Sequence, residues 1–149
     1  MCADKLQAPD VKGFFDNDSN TVSYLVVDPT TNKAAIVDSV LDFDYASGTM
    51  SYEHADEMIA EVKARGLDLE WLIETHVHAD HLSAAPYIQQ QLGGKIGISE
   101  HIVTVQNVFG KIFNAGTEFE RDGSQFDQLF TDGDSYQIGT ITGMAIHTP

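Results

Sequence analysis

Seven residues near the middle of the chain read Thr75-His76-Val77-His78-Ala79-Asp80-His81, and an apolar run, 69–73, precedes them. Alternate residues of an extended chain point to the same side, so the first two histidines and the aspartate are predicted to share one face. The last histidine follows where the chain should turn away from the strand. Imidazole nitrogens with a carboxylate oxygen suit zinc or iron, whereas calcium and magnesium prefer all-oxygen ligands. The sequence therefore predicts a transition-metal site with these candidate ligands: His76, His78, Asp80 and His81.

The length and composition predict a single globular domain over residues 1–149. A chain of 149 residues with 42% hydrophobic residues can bury a real core, and it contains no run as long as a membrane span. The first residues lack the apolar core of a signal peptide. Cys2 is the only cysteine, so no internal disulfide is possible. We therefore expect a cytoplasmic protein in a reducing compartment.

The charge balance narrows the class of partner. The chain has 8 Lys and Arg against 23 Asp and Glu, a formal net charge of -15. Such a charge repels phosphate backbones and anionic lipids, so we expect neither a nucleic-acid nor a membrane partner. A small molecule is the partner class that fits a metal site in an acidic protein.

The first half of the chain is predicted to open with strands. Alternating or continuous apolar residues indicate strands over 11–15, 21–27 and 34–38, separated by polar turns. An acidic loop is expected over 40–51. A helix follows, capped by Ser51 and stopped by Gly66, because its apolar residues recur at helical spacing.

Strands and helices alternate in the second half. Strands are predicted over 69–74, 95–98 and 140–147, with one helix capped by Ser83 and another that begins at Ser99. The order predicts an α/β (α+β) fold with the histidine cluster at the C-terminal end of a strand, where ligands bind in open sheets. His54 is interpreted as a solvated surface residue, and His101, near a helix start, as incidental to the site. Asp38 either only marks the end of its strand or hydrogen-bonds to a metal ligand and so supports it.

The chain also resembles a known family. Thr75–His81 matches the T-H-x-H-x-D-H signature of the metallo-β-lactamase fold superfamily, whose αββα sandwich holds metal between the edges of two sheets. Val37-Asp38 resembles the aspartate that ends an early strand of that fold. The segment 132–139 resembles the turn and strand before the next ligand motif. The resemblance implies that the chain is an incomplete, N-terminal portion of the sandwich.

Within that superfamily the chain is most similar to persulfide dioxygenases of the ethylmalonic-encephalopathy protein type, and to their bacterial branch labelled β-lactamase-hydrolase-like. The marks are Ala79, the continuation Leu82-Ser83-Ala84-Ala85, and Gly123-Ser124-Gln125-Phe126-Asp127. Glyoxalase II enzymes usually have a third histidine where Val77 stands. Flavodiiron proteins have a glutamate where His78 stands.

This resemblance implies an iron(II) enzyme that oxidises glutathione persulfide with O₂ to sulfite and glutathione. Its iron is held by two histidines and one aspartate, and the first histidine corresponds to His76. The second belongs to a T-P-G-H motif, of which Thr148 and Pro149 are the last residues present, so His147 is not that ligand. The remaining ligands are expected beyond Pro149. His78, Asp80 and His81 would then support the site rather than bind the iron.

Two alternatives remain open. One is a dinuclear zinc hydrolase of glyoxalase II type, acting on a thioester or lactone, in which all four motif residues bind metal. The other is that residues 1–149 alone are catalytically silent. A sandwich that lacks part of one sheet exposes apolar surface, so such a chain is predicted to be unstable, oligomeric or paired with a complementary piece.

Overall fold

Strands dominate the computed structural model, which describes residues 8–116 and 118–148. Cys2 and Pro149, on which sequence predictions were made, lie outside these residues. The strands are β1 (Asp10–Phe15), β2 (Val22–Asp28), β3 (Lys33–Val37), β4 (Val40–Asp44), β5 (Thr49–Ser51), β6 (Asp68–Ile73), β7 (Leu82–Ser83), β8 (Lys95–Ser99), β9 (Gln128–Phe130), β10 (Ser135–Ile138) and β11 (Ile141–Met144). The helices are α1 (Glu53–Ala64), α2 (Ala85–Leu92) and α3 (Ile102–Ile112).

The main sheet has six strands in the order β1-β2-β3-β6-β8-β9. The first three pair antiparallel, and β3, β6, β8 and β9 pair parallel. Parallel pairing brings the C-terminal ends of β3 and β6 to one edge, where the Asp38 N–H donates to the Ile73 carbonyl at 2.9 Å. Asp38 and the motif that follows β6 therefore meet at this edge.

The core lies between the main sheet and two helices. Leu25 and Ile36 on the sheet and Met58 on α1 are fully buried in one apolar cluster, and Ile88 brings α2 into it. These positions follow the predicted periods, every second residue on the strands and every third or fourth on the helices. Burial of this apolar surface fixes which face of each element points inward.

The opposite face of the sheet carries a second β layer, the antiparallel hairpin β10–β11. The Trp71 indole of β6 donates to the Gln137 carbonyl at 2.8 Å, and its ring lies 5.6 Å from that of Tyr136. Layers of helix, sheet and strand hairpin confirm the predicted α/β class.

Residues 40–51 form a hairpin, not the loop that we expected. β4 pairs with β5 on one side and with the short β7 on the other. The Asp42 carboxylate accepts the backbone N–H of His54 at 3.0 Å, an otherwise unsatisfied donor in the first turn of α1. The cap prediction for Ser51 is therefore wrong: Ser51 ends β5, Tyr52 is the N-cap residue, and the acceptor comes from β4.

Other boundaries shift by a few residues. The N-cap of α2 is Ala84, although the hydroxyl of the predicted Ser83 accepts the Ala85 N–H at 3.1 Å. α3 begins at Ile102 rather than Ser99, and the last strand ends at Met144 rather than 147.

His54 is buried, which corrects its interpretation as a solvated surface residue. Its side chain lies under β2, with Nε2 3.3 Å from the Ser23 hydroxyl. The polar neighbours of His54 on α1 indicated a solvent-exposed face of the helix. The sequence did not show that the buried Ser23 of β2 contacts His54.

Asp28 joins two distant turns. Its carboxylate accepts the Thr30 N–H at 2.9 Å and the Thr31 hydroxyl at 2.7 Å, next to β2. It also accepts the Thr140 N–H at 2.7 Å, from the turn between β10 and β11. Gly139 makes that turn with a φ of 59°, and a Cβ there would lie 2.5 Å from the Asp28 carboxylate. Asp28 thus holds the hairpin on the sheet.

The Asp28→Asn substitution is expected to destabilise the protein at neutral pH and to matter less in acid. The Thr140 N–H, with the other donors, holds the pKa of Asp28 well below its usual value. A carboxylate of this kind stabilises the fold above its ordinary pKa of about 4, and that contribution is lost as the pH falls towards the lowered pKa. Urea unfolding at pH 7 and at stepwise lower pH should show the gap between wild type and variant closing below about pH 4. Asp18→Asn, at an exposed aspartate, is the control, and a gap that stays constant with pH would contradict the account.

Among the described residues, no helix combines the length and hydrophobicity that crossing a bilayer requires. Several large apolar side chains are exposed, among them Ile112 at the end of α3 and Phe113 just after it. Met144 at the end of β11 and Ile146 just after it are exposed as well. Exposed apolar surface is what we expect if residues 1–149 alone are catalytically silent. That such a chain is unstable, oligomeric or paired with a complementary piece stays a prediction.

Candidate metal centre

The candidate ligands occupy the segment between β6 and β7, at the C-terminal edge of the main sheet. The rings of His76 and His78 lie 4.2 Å apart, and those of His78 and His81 also 4.2 Å apart. The structure therefore gathers the three imidazoles that the sequence placed together. Asp38, which follows the neighbouring strand β3, lies next to these rings and contacts His78.

Asp38 is the hub of the hydrogen bonds behind these rings. Its Oδ1 accepts the Thr75 N–H at 2.8 Å, and its Oδ2 accepts the Thr75 hydroxyl at 2.7 Å. Oδ1 also lies 3.0 Å from Nε2 of His78. The residue has a φ of 52°, a left-handed conformation that aspartate tolerates better than most residues. Both oxygens already have donors, which fits a supporting role better than a metal ligand.

The position of the proton on His76 follows from this network. The Thr75 hydroxyl gives its hydrogen to Asp38 and lies 2.8 Å from Nδ1 of His76. Because the hydroxyl has only one hydrogen, it accepts from Nδ1, and that nitrogen carries the proton. Nε2 of His76 is left with a free lone pair on an exposed side chain.

His78 is held through the other nitrogen. Nε2 donates to Asp38, since a carboxylate can only accept, so Nδ1 is the nitrogen left for a metal. Its side chain is only 6% exposed. The hydrogen bond to Asp38, together with the contact to Glu74, raises the pKa of His78 to about 9, so at neutral pH Nδ1 must release a proton before it can bind a metal. Burial raises the pKa of Asp38, but hydrogen bonds from His78 and Thr75 outweigh it and leave that pKa below its usual value.

His81 shows the clearest sign of a missing partner. Its Nδ1 lies 2.9 Å from the Leu82 carbonyl, which can only accept, so Nδ1 carries the proton. Its Nε2 is buried and has no hydrogen-bond partner among the described residues. A buried polar atom without a partner is rare, and an ion that completes the site is one physical reason for it.

Asp80 lies at the mouth of the site. Its Oδ2 accepts the hydroxyl of Thr21, the residue before β2, at 2.8 Å, and this bond lowers the pKa of the carboxyl below its usual value. The carboxylate is therefore charged at neutral pH and anchored on one oxygen. The other oxygen is available to a cation.

The donor atoms fit a transition metal. One ligand atom each from Asp38, His76 and His78 lie within 4.8 Å of one another, and the same holds for His78, Asp80 and His81. Ligands that each lie about 2.0–2.1 Å from zinc are about 3–4 Å apart, so shifts of about 1 Å would bring His78, Asp80 and His81 into range, whereas the Asp38 group is already joined by hydrogen bonds. In ligating histidines the second ring nitrogen is almost always hydrogen-bonded, as it is in all three here. This geometry is compatible with a metal site, and metal binding by His76, His78, Asp80 and His81 stays a prediction.

The remaining histidines do not join these groups. The rings of His101 and His147 lie 4.2 Å apart, and neither residue belongs to a possible ligand cluster among the described residues. That His147 is not a ligand stays a prediction.

The sequence did not predict the roles of three residues of the site. They are Glu74, Thr21, and Thr75, whose hydroxyl links Asp38 to His76. Glu74 had a detectable signal, because it shares strand parity with His76 and His78 and ends an apolar strand with a charge. Thr21 had none, since its contact with Asp80 spans 59 residues of sequence.

A cavity of about 440 Å³ opens beside His76 and His78. Apolar side chains of α3 and β8 line much of it, Phe109 of α3 among them, and Phe126 adds another from the segment before β9. Gln106 and Gln125 contribute polar groups. Its size and mixed lining suit a small organic molecule.

Comparisons with known proteins agree on the family and on the partial length. A probable metallo-hydrolase of Burkholderia pseudomallei is 52% identical over 139 residues, which are 93% of this chain and 47% of that protein. Glyoxylase B2 of Dictyostelium discoideum is 41% identical over 140 residues, 93% of this chain and 48% of that protein. Persulfide dioxygenase ETHE1 of Bos taurus is 28% identical over 129 residues, 87% of this chain and 39% of that protein. The chain thus spans from about two fifths to half the length of these relatives.

Solved structures agree on the fold. A metallo-beta-lactamase from Staphylococcus aureus matches with a TM-score of 0.67 and 22% identity, over 96% of this chain and 35% of that chain. ETHE1 from Myxococcus xanthus matches with a TM-score of 0.63 and 22% identity, over 89% of this chain and 45% of that chain. The metallo-beta-lactamase superfamily pattern itself covers residues 16–149. The resemblance inferred from the Thr75–His81 motif is confirmed, and the chain belongs to the metallo-beta-lactamase superfamily, a family of metal-binding proteins.

Proposed function

We propose that the protein is an iron(II)-dependent persulfide dioxygenase that oxidises glutathione persulfide with O₂ to sulfite and glutathione. The proposal concerns the protein at its natural length. The sequence marks around Ala79 and the likeness to a protein named persulfide dioxygenase support it. The superfamily is that of metal-dependent enzymes, and the choice of substrate and metal within it is the proposed part.

The observation that carries the proposal is the state of His76. Its Nδ1 proton is held by Thr75, its side chain is exposed, and it lines the cavity that a small molecule could enter. If two histidines and one carboxylate hold the metal, with His76 as the first, coordination positions stay open for substrate sulfur and oxygen. His78 lies deeper, with its charge already balanced by Asp38.

A bound iron(II) ion would act as a Lewis acid and as a template for the two reactants. Around it, Asp38 and Thr75 keep the proton of His76 on Nδ1, and Asp38 keeps that of His78 on Nε2. The cavity beside His76 would hold the organic part of the thiol. In the overall reaction the terminal sulfur is oxidised, O₂ is reduced, water supplies the remaining oxygen of sulfite, and the thiol leaves with a proton.

Oxygen uptake tests this proposal. Iron-loaded protein of natural length should consume O₂ when glutathione persulfide is added and should release sulfite in equal amount. Absence of uptake from a sample that holds iron would overturn the proposal. Zinc-loaded protein is the control and should not consume O₂.

A second function is favoured by a different observation, the cluster of His78, Asp80 and His81 with its unpartnered Nε2. If these residues bind a second metal, the protein is a dinuclear zinc hydrolase of a thioester or lactone. The names of the relatives from Burkholderia and Dictyostelium support this reading. Metal analysis separates the two, because one iron per chain favours oxidation and two zincs favour hydrolysis.

A further inference from the structure

Glu74 is a buried carboxylate behind the candidate metal centre. It follows β6 directly, its side chain is 6% exposed, and its backbone N–H donates to the Gly97 carbonyl at 2.9 Å. A charged carboxylate in such a place needs compensating partners, because burying it alone costs several kcal/mol. The two oxygens of Glu74 find different partners.

One oxygen is fixed by the start of α2. Oε1 accepts the Ser83 hydroxyl, and the same hydroxyl oxygen accepts the Ala85 N–H at 3.1 Å. The Glu74 carboxylate is therefore tied to the helix and has little freedom to rotate. This contact determines where its second oxygen points.

The second oxygen points at His78. Oε2 lies 3.3 Å from Nε2 of His78, while the hydrogen on that nitrogen is directed at Asp38, 3.0 Å away. Oε2 is buried and has no hydrogen-bond partner of its own among the described residues. Oε2 therefore places a negative charge next to the His78 imidazole without forming a conventional hydrogen bond with it.

We propose that Glu74 is a positioning residue for the metal centre, which acts with Asp38 on Nε2 of His78. The two carboxylates flank the same N–H, so the proton stays on Nε2 and Nδ1 is directed at the metal. Their negative charge also makes the imidazole a stronger donor to a cation. This inference rests on the second of the two proposed functions, in which His78 binds a metal through Nδ1; in the mononuclear iron proposal His78 supports the site without binding the iron.

This role gives a reason for a buried charged residue directly after β6. A hydrophobic residue at position 74 would pack well but would leave His78 with a single carboxylate. Substitutions of residues that support a ligand from behind typically cost about 10–100-fold in metal affinity. We expect the Glu74→Gln change, which keeps the shape and removes the charge, to cost about 10-fold.

The experiment measures Co²⁺ affinity and the Co²⁺ visible spectrum in the natural-length protein. The variants are Glu74→Gln, Glu57→Gln and Ser83→Ala. Glu57 is an exposed glutamate on α1, so it controls for the loss of one negative charge. Ser83→Ala removes the anchor of Glu74 but keeps the charge beside His78. Thermal unfolding of each metal-free variant reports general damage to the fold.

The expected result is weaker Co²⁺ binding and a shifted spectrum for Glu74→Gln, no change for Glu57→Gln, and a smaller loss for Ser83→Ala. Glu74→Gln with wild-type affinity and spectrum would overturn the inference. So would a loss of affinity no larger than that of Ser83→Ala in variants with equal unfolding midpoints. If the wild type itself binds no Co²⁺, the proposed metal site fails as well, which distinguishes the two failures.

Discussion

The His76→Ala variant is expected to bind Zn²⁺ at least about 100-fold more weakly than the wild type, because it loses a ligand rather than a supporting residue. The Thr75 hydroxyl holds the proton of His76 on Nδ1, so Nε2 is prepared for a metal before any metal arrives. Competition with a chromophoric chelator measures the change directly.

His101→Ala is the matched control. His101 is an exposed histidine outside the ligand clusters of the described residues, so its removal should leave Zn²⁺ affinity unchanged. Equal affinities for the His76→Ala and wild-type proteins would show that His76 does not bind the metal. Equal losses in both variants would show only non-specific binding to histidines.

The Asp38→Ala variant is expected to lose both stability and metal affinity. It leaves the Thr75 N–H, the Thr75 hydroxyl and Nε2 of His78 without their acceptor. Loss of the acceptor of a part-buried hydrogen-bond network costs about 1–3 kcal/mol, and alanine tolerates the φ of 52° poorly. Urea unfolding should therefore show a loss of about 1–3 kcal/mol, with Zn²⁺ affinity at least about 10-fold weaker.

The Asp38→Asn variant separates the loss of the negative charge from the loss of the acceptor and the backbone strain at position 38. Asparagine accepts the left-handed backbone and keeps one acceptor oxygen, so we expect intermediate stability and intermediate affinity. If Asp38→Asn matched Asp38→Ala in both measurements, the negative charge alone would matter. If Asp38→Ala matched the wild type in stability and in Zn²⁺ affinity, the hydrogen bonds from Thr75 and His78 to Asp38 would not support the site.

The sequence located the site because its signal is local. His76 and His78 lie two residues apart at the end of an apolar strand, and strand parity puts both rings on one side. The position of Asp38 was predicted through the family resemblance. Its role as acceptor for both Thr75 and His78 was not, because those contacts join residues 37 and 40 positions apart.

The elements that were missed depend on distant partners. Val40–Asp44 becomes a strand because β5 and β7 pair with it, and the acidic residues on it suggested a loop. His54 is buried because β2 places Ser23 over it. Ser51 looks like a helix cap in sequence, yet Asp42 supplies the acceptor from another element. In each case tertiary contact overrides a local preference.

The central claim is that hydrogen bonds fix the ring protons of His76 and His78 and leave one nitrogen of each for a metal. The position of each imidazole proton tests this claim most directly. Long-range ¹H–¹⁵N spectra of the natural-length protein, recorded before and after addition of Zn²⁺, report which nitrogen is protonated and which one binds. The account predicts that Nε2 of His76 and Nδ1 of His78 shift on metal binding, while Nδ1 of His76 and Nε2 of His78 keep their protons. Spectra that Zn²⁺ leaves unchanged, or a metal bound through Nε2 of His78, would contradict it.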